Sequence, residues 1–551
     1  MKSKYILLIV IGLILAYSSF LRLDNIRNYQ VFLGDQGRDV LTVLRMVKGD
    51  LVFIGPTASV GGFFLGPFYY YLMTPALIAS NFDPVGPAVM VALLSIAATY
   101  LCYYFAKNYI STSAGIIAAL IFAVSRLVVE YSRSSWNPNV LPFFSLLLVI
   151  ALAKIIDTRT KRKQWWFVTI GACLGIIIQL HYQAIVMHVF AVGVYLFYLW
   201  REHIRNTGRT VMTLLKELAF MLVGVGIFLG PFIAFEIYHS FPNTQNIYRF
   251  VFENRGDGFS GGQSYEFIVR DTIYRLFLRL VAGGSDTAAQ IAITITVVGF
   301  LLAGYAFITR FYDYIIHEKK KESFNADFAK YISQISSHGK FIGFILLIAW
   351  FICGVGFWGF YKKSIFDYYY SYMYPLPILM FASAAGLLIE YRSRRLHSTR
   401  QRGVAVVLSL ALGIFISSLV WLNIKSINTM IQGQQIMRTE TVARAIIQHK
   451  TDGPYNFALI TPGNSDHAYR YFLELWGEEP TPLETEVTTQ LIVFCEPSPM
   501  PCEPEGNSLW EVAGFGRSSI VGQWQVIGLP LYRLEHIPES KELEGKPAKK
   551  G

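Results

Sequence analysis

The chain has 551 residues, 53% of them hydrophobic and only 15% charged, with a formal net charge of +11. A soluble protein of this length would carry about 25% charged residues, so a soluble globular enzyme is excluded. The positive balance does not point to nucleic acid, because the basic residues sit mostly in short loops between apolar runs, where membrane topology places them.

The first apolar run, "YILLIVIGLILAYSSFL", follows "MKSK". No small-residue cleavage site follows in "SSFLRLDN", so an uncleaved anchor is expected. Next comes "FLGDQGRDVLTVLRMVKGD", which gathers Asp35, Arg38, Asp39, Arg45, Lys48 and Asp50 within Phe32 to Asp50. Asp35 before "QGRDVLTVLRMV" suits a helix N-cap. Arg45 and Lys48 are expected to meet lipid headgroups from an interfacial helix.

Further apolar runs predict spans near 5–21, 86–106, 113–129, 139–155, 165–181, 184–200, 212–235, 289–309, 341–358, 372–390 and 403–424. That makes about eleven. The basic loops 154–164, 317–340 and 391–402, with the weaker 201–209, belong in the cytoplasm by the positive-inside rule. The stretch "FFLGPFYYYLMTPALIAS" (63–80) is apolar too. If it crossed the membrane, every later loop would invert. It opens near Gly-Pro and carries three consecutive tyrosines, which suits the membrane interface. Residues 22–85 therefore read as one extracytoplasmic loop with interfacial helices. The expected topology has the N-terminus cytoplasmic and the C-terminus outside.

A second outer loop runs from about Tyr238 to Thr287, with "RGDGFSGG" as a flexible break. A helix over Tyr265 to Leu280 would place Arg275 and Arg279 on one face. Snorkelling to headgroups and binding of an anionic headgroup both remain open for this pair.

After residue 424 the pattern changes. "YNFALI", "QLIVFC" and "GQWQVIGLPLYRLEH" read as strands, and "SDHAYRYFLELWG" as a helix capped by Ser465. Residues 425–540 are expected to form a small extracytoplasmic α/β domain, with a disordered tail over 541–551. Outside the cell, Cys495 and Cys502 would form a local disulfide. Cys102, Cys173 and Cys353 lie in apolar runs as packing residues.

Polar groups collect at the outer ends of the spans: Asp35, Asp39, Glu130, His181, Gln183, Glu236, Lys362 and Lys363, with a row of tyrosines after Lys363. Each alone reads as an interfacial anchor, but together they outline a site for a lipid-linked substrate. Basic residues would hold a phosphate, aromatics would stack on sugar and lipid, and a carboxylate would take a proton from an acceptor hydroxyl.

The segment "GDQGRDVLTVLRMVKGDLVFIGPTASVGGFFLGPFYYYLMTPAL" resembles the first outer loop of GT-C fold glycosyltransferases. It resembles the branch that contains the protein O-mannosyltransferases, the lipid A aminoarabinose transferases and the Rgt-type lipopolysaccharide core transferases. Asp35 matches the family's acid, and "GPFYYY", with Tyr69 and Tyr70, its Pro-containing tyrosine motif. "SRSSWNPN", with Arg133 and Asn137, resembles its second outer loop. "DYYYSYMYPLPILM", with Tyr368, resembles its late segment. The resemblance covers residues 1–424.

It implies a polytopic α-helical enzyme of the plasma membrane. A sugar would pass from a polyprenyl-phosphate donor to a hydroxyl on a glycan, lipid or protein, with inversion. Asp35 would be the catalytic base, with Asp39 in reserve. The family's second acid is missing here, and only Glu130 lies near. A divalent metal at Asp35 and Glu130 is therefore in question, since such ions want several hard oxygen ligands. Relatives often carry His or Lys just before the tyrosine motif, where this chain has Phe64, Leu65 and Gly66. Arg38, Arg249, Arg275, Lys362 and Lys363 are the remaining cations for phosphate, with His181 nearby.

Three competing readings share the membrane. A transporter or flippase of lipid-linked sugars would place charges near the midplane. A ligase or polymerase would centre on a late loop. A mere anchor would need far fewer spans.

Overall fold

The computed structural model describes residues 2–58, 62–205, 208–253, 262–318, 331, 339–361, 363–394, 399–496 and 502–537. Lys362, the 541–551 tail, most of the "RGDGFSGG" break and most of the 317–340 loop lie outside them.

Two compact units emerge. One comprises Met1–Asp24, Val52–Leu72 and Ala88–Met430; the other comprises Asn25–Leu51, Met73–Pro87 and Ile431–Gly551. The expected boundary at residue 424 needs correction on one point: much of the first loop folds with the C-terminal segment.

The larger unit is the membrane part. Among the described residues, nine helices are long and apolar enough to span: Lys4–Leu23, Val85–Tyr109, Asn137–Ile156, Lys163–Leu180, Tyr182–Ile204, Val211–Tyr238, Asp286–Tyr314, Gly339–Trp358 and Val406–Ile427. Two bent pairs raise the number to eleven: Thr112–Val124 with Arg126–Ser132, bent by 57°, and Asp367–Met373 with Pro375–Glu390, bent by 54°. The apolar stretch 63–80 yields only the 12-residue helix Phe68–Ala79. At 1.5 Å per residue it reaches roughly 18 Å, short of the ~30 Å hydrocarbon core.

The span expected at 113–129 is broken, and the break has a physical account. A bend at Ser125 frees backbone groups that lipid cannot satisfy. Buried Arg22 donates to the carbonyls of Ala123 (2.9 Å) and Phe122 (3.2 Å). Asn423 Oδ1 accepts the Arg126 N–H at 3.1 Å.

The smaller unit holds a four-stranded sheet in the order β1-β2-β4-β3, with β1 Asn456–Ile460, β2 Gln490–Cys495, β3 Ser518–Val526 and β4 Leu529–His536. β1 and β2 pair in parallel, and the other pairs are antiparallel. β2 is buried along its whole length, in keeping with its unbroken apolar run. Cys495 and Cys502 are disulfide-bonded, with Cα atoms 6.3 Å apart.

The first-loop helix Gly34–Lys48 is amphipathic. It buries Val40, Leu41, Val43 and Leu44 and packs against helix His467–Leu475. Phe32 sets its ring edge-on to Tyr471 and Phe472 at 6.3 and 5.7 Å. Ser465 does not cap helix His467–Leu475. Asp466 occupies the cap position without a side-chain cap bond, and Ser465 Oγ lies 2.8 Å from His467 Nδ1 instead.

Candidate functional site

The expected cap residue, Asp35, lies instead in the first turn of helix Gly34–Lys48, two residues past the cap residue Leu33. The helix end is satisfied without it. Leu33 N–H donates to Gln36 Oε1 (3.1 Å), and Gly34 N–H donates to Asn464 Oδ1 (2.8 Å). The cap reading of Asp35 is therefore replaced by an available carboxylate. Its side chain is 53% exposed and accepts from Arg38 Nη1 at 3.0 Å. Asp39 is the opposite case: 1% exposed and held by the Nη2 of the same arginine at 2.9 Å. Arg38 thus bridges two carboxylates.

Two glycines of "GDQG" allow the helix to sit where it does. A Cβ on Gly34 would stand 2.1 Å from Ser465 Oγ, and one on Gly37 would stand 2.2 Å from the Ala468 nitrogen. Both positions press backbone against the start of helix His467–Leu475. Arg45 and Lys48 are not headgroup ligands. They donate to the nearly buried Glu474 at 2.8 and 3.1 Å, and Arg45 also reaches Glu479 at 3.1 Å. Burial pushes the Glu474 carboxyl up, but the hydrogen bonds from Arg45 and Lys48 outweigh it and hold the group below its usual range. His467, which composition and pattern did not single out, lies within the field of Asp35 and Arg38. Burial lowers its imidazole, with Asp466 and Asp35 opposing and Arg38 and Arg470 assisting.

In the membrane unit, the polar ends of several spans converge. Asn137 Nδ2 donates to Leu180 O at 2.5 Å, tying the 137–140 turn to the end of helix Lys163–Leu180. His181 follows that end, its ring 6.0 Å from Tyr368 and 5.4 Å from Tyr369. Trp136 meets Tyr368 at 4.5 Å, and Phe366 stacks on it at 5.8 Å. The result is an aromatic wall built from three separate loops. Burial lowers the His181 imidazole to about 4, and its Nδ1 is buried without a hydrogen-bond partner among the described residues.

Tyr69 and Tyr70 turn into the protein rather than outward. Both are buried, with Tyr69 Oη 2.8 Å from Ser135 Oγ. Gly66 permits this approach, since a Cβ there would lie 2.3 Å from Gln179 Cγ. Arg133 is also buried, donating from Nε to Leu21 O at 2.9 Å. Glu236 caps a neighbouring helix, accepting from Asn243 N–H (3.1 Å) and from Thr244 N–H (2.9 Å).

The helix expected over Tyr265 to Leu280 is present, with Ser264 Oγ capping it. Arg275 and Arg279 do share a face, but both are taken by Asp367, each at 2.9 Å. Asp367, which the local helical spacing could not point to, pairs with both arginines. Arg249 and Lys363 remain exposed, and Glu130 is half-exposed, 3.6 Å from Arg126. Among the described residues, no group of three or more His, Cys, Asp or Glu side chains could hold a metal ion.

The sequence model of the dolichyl-phosphate-mannose-protein mannosyltransferase family matches residues 66–227. No curated protein matches the sequence. Among solved structures, the chain is similar to ArnT from Cupriavidus metallidurans bound to undecaprenyl phosphate, at 10% identity and TM-score 0.54, covering 98% of this chain and 99% of that one. The apo state of the same protein aligns at 12% identity and TM-score 0.54, covering 97% and 98%. The apo oligosaccharyltransferase from Archaeoglobus fulgidus aligns at 14% identity and TM-score 0.51, covering 88% of this chain and 66% of that one. The fold is the GT-C fold of these membrane proteins.

Proposed function

We propose that the protein is an integral membrane glycosyltransferase. It moves a sugar from a polyprenyl-phosphate donor to an acceptor hydroxyl on the outer face of the membrane. The observation that carries this reading is the setting of Asp35: a half-exposed carboxylate, released from capping, on a helix keyed to the C-terminal unit by two glycines. Support comes from the fold shared with a protein that was crystallised with undecaprenyl phosphate.

In this mechanism Asp35 accepts the proton of the acceptor hydroxyl while its oxygen attacks the anomeric carbon. The new C–O bond forms as the bond to the phosphate oxygen breaks on the opposite face. The leaving polyprenyl phosphate takes the electron pair, and the sugar inverts. Arg38 orients the Asp35 carboxylate. Arg249, Lys362 and Lys363 are the cations proposed for the donor phosphate, because Arg275 is committed to Asp367. The aromatic wall of Trp136, Tyr368 and Phe366 offers ring faces to the sugar or lipid. In this topology the N-terminus is cytoplasmic, and the basic loop 154–164 faces the cytoplasm.

The test is transfer by purified protein in lipid bilayers, with a panel of polyprenyl-phosphate sugars and release of polyprenyl phosphate as readout. Asp35→Asn is expected to lower turnover by about 100-fold or more, the range for loss of a general base. Undiminished transfer by that variant overturns the assignment.

A further inference from the structure

We infer that Glu496 and Asn464, in the C-terminal unit, form a positioning relay for Asp35. This deepens the catalytic reading above and rests on it. Glu496 follows directly on β2, beside the Cys495–Cys502 disulfide. Its carboxylate accepts from Thr461 Oγ1 (2.7 Å), Tyr469 Oη (2.8 Å) and Asn464 Nδ2 (2.9 Å to Oε1 and 3.2 Å to Oε2). With three side chains donating to it, the Glu496 carboxylate is committed to structure.

What it does is set the orientation of an amide. A carboxylate only accepts hydrogen bonds, so the Asn464 amide must turn its NH2 group toward Glu496. Its carbonyl oxygen then points the other way and receives the Gly34 N–H at 2.8 Å. Gly34 is the residue before Asp35 and the first of its helix. The glycine also lies so close to Ser465 that a Cβ would stand 2.1 Å from its hydroxyl. The peptide entering Asp35 is thus fixed on two sides, by one hydrogen bond and one steric stop. A general base must lie within hydrogen-bond reach of the proton it takes, and a misplacement of about 1 Å costs up to ~100-fold in rate. Glu496, Asn464 and Gly34 are far apart in the chain, yet a single carboxylate decides the polarity of the contact that starts the catalytic helix.

The relay makes a reciprocal prediction. In Glu496→Gln, the glutamine can donate as well as accept, so the Asn464 amide loses its imposed orientation. In Asn464→Asp, two carboxylates face each other. In the double variant, the introduced glutamine donates to the introduced aspartate, and that aspartate still accepts from Gly34 N–H.

The experiment measures two things on the full-length protein in lipid. One is polyprenyl-phosphate release, separated into kcat and KM. The other is amide hydrogen exchange of the peptide covering residues 33–38. Each single variant is expected to lower kcat roughly tenfold at unchanged KM and to speed exchange, and the double variant to restore both. If both single variants exchange and turn over as the parent does, the relay is overturned. If the singles are impaired and the double is not restored, amide orientation is not the cause and the proposal also falls. Exchange reads the geometry without any activity. Asp35→Asn runs alongside: full activity there rejects the catalytic reading itself, whatever the exchange shows. Should the double variant fail to fold, Tyr469→Phe, which removes one donor from Glu496, serves instead. It is expected to speed 33–38 exchange, and parent-like exchange rejects the relay.

Discussion

The two units hold arginine by different means. In the membrane unit, Arg22 is fully buried, and the contacts resolved for it are hydroxyls and backbone carbonyls: Ser95, Ser18, Phe122 and Ala123. In the C-terminal unit, Arg45 stays 46% exposed and sits on the carboxylates of Glu474 and Glu479. The difference follows from the solvent. Inside a bilayer, a broken helix leaves carbonyls that nothing else can satisfy, and a guanidinium with five donors meets several at once. Water-facing cations need no such role, and an ion pair there contributes little.

Three measurements would break or sharpen that contrast. Arg22→Met should have the largest effect. It orphans the Ala123 and Phe122 carbonyls and the Ser95 hydroxyl, at a cost of about 3 kcal/mol or more. Thermal unfolding in lipid reads this as a large fall in midpoint, and a parent-like midpoint would show that the helix break stands without Arg22.

His181 comes next and enters through pH. Its imidazole titrates near 4 in the folded protein and near 6.5 when unfolded. The unfolded state therefore binds the proton more readily. The stabilisation is fully present above pH 6.5 and is lost as pH falls toward 4. Between pH 7 and pH 5 the loss is roughly 2 kcal/mol. His181→Gln should flatten the unfolding midpoint across this window, and an unchanged slope would locate the sensitivity elsewhere.

Arg45→Met should have the smallest effect, about 1 kcal/mol, because the arginine is half in water and Lys48 still holds Glu474. A loss exceeding that of Arg22→Met would reverse the comparison.

Much of the architecture was readable in the residues. Hydropathy placed the spans, and the weight of basic loops kept 63–80 from being counted among them; the helix there is only 12 residues long. Helical spacing put Arg275 and Arg279 on one face. The same reading misplaced their partner, because Asp367 lies 88 residues beyond Arg279. The burial of Tyr69 and Tyr70 was hidden for a similar reason: the partner of Tyr69, Ser135, is 66 residues away. Asn464 and Glu496 carried no signal at all, Asn464 being one polar residue among several in the loop after β1 and Glu496 directly following β2.

By itself, then, the sequence determined what depends on neighbours in the chain: apolar length, helical period, strand runs, and an aspartate just outside the first span. Tertiary structure decided what depends on distant partners. It took Asp35 out of the cap position and set its helix on Asn464. It gave Arg45 and Lys48 to Glu474, and it broke a span over Arg22. Hydrophobic patterning is a local property of a chain, whereas a hydrogen bond is specified only when both partners are in place.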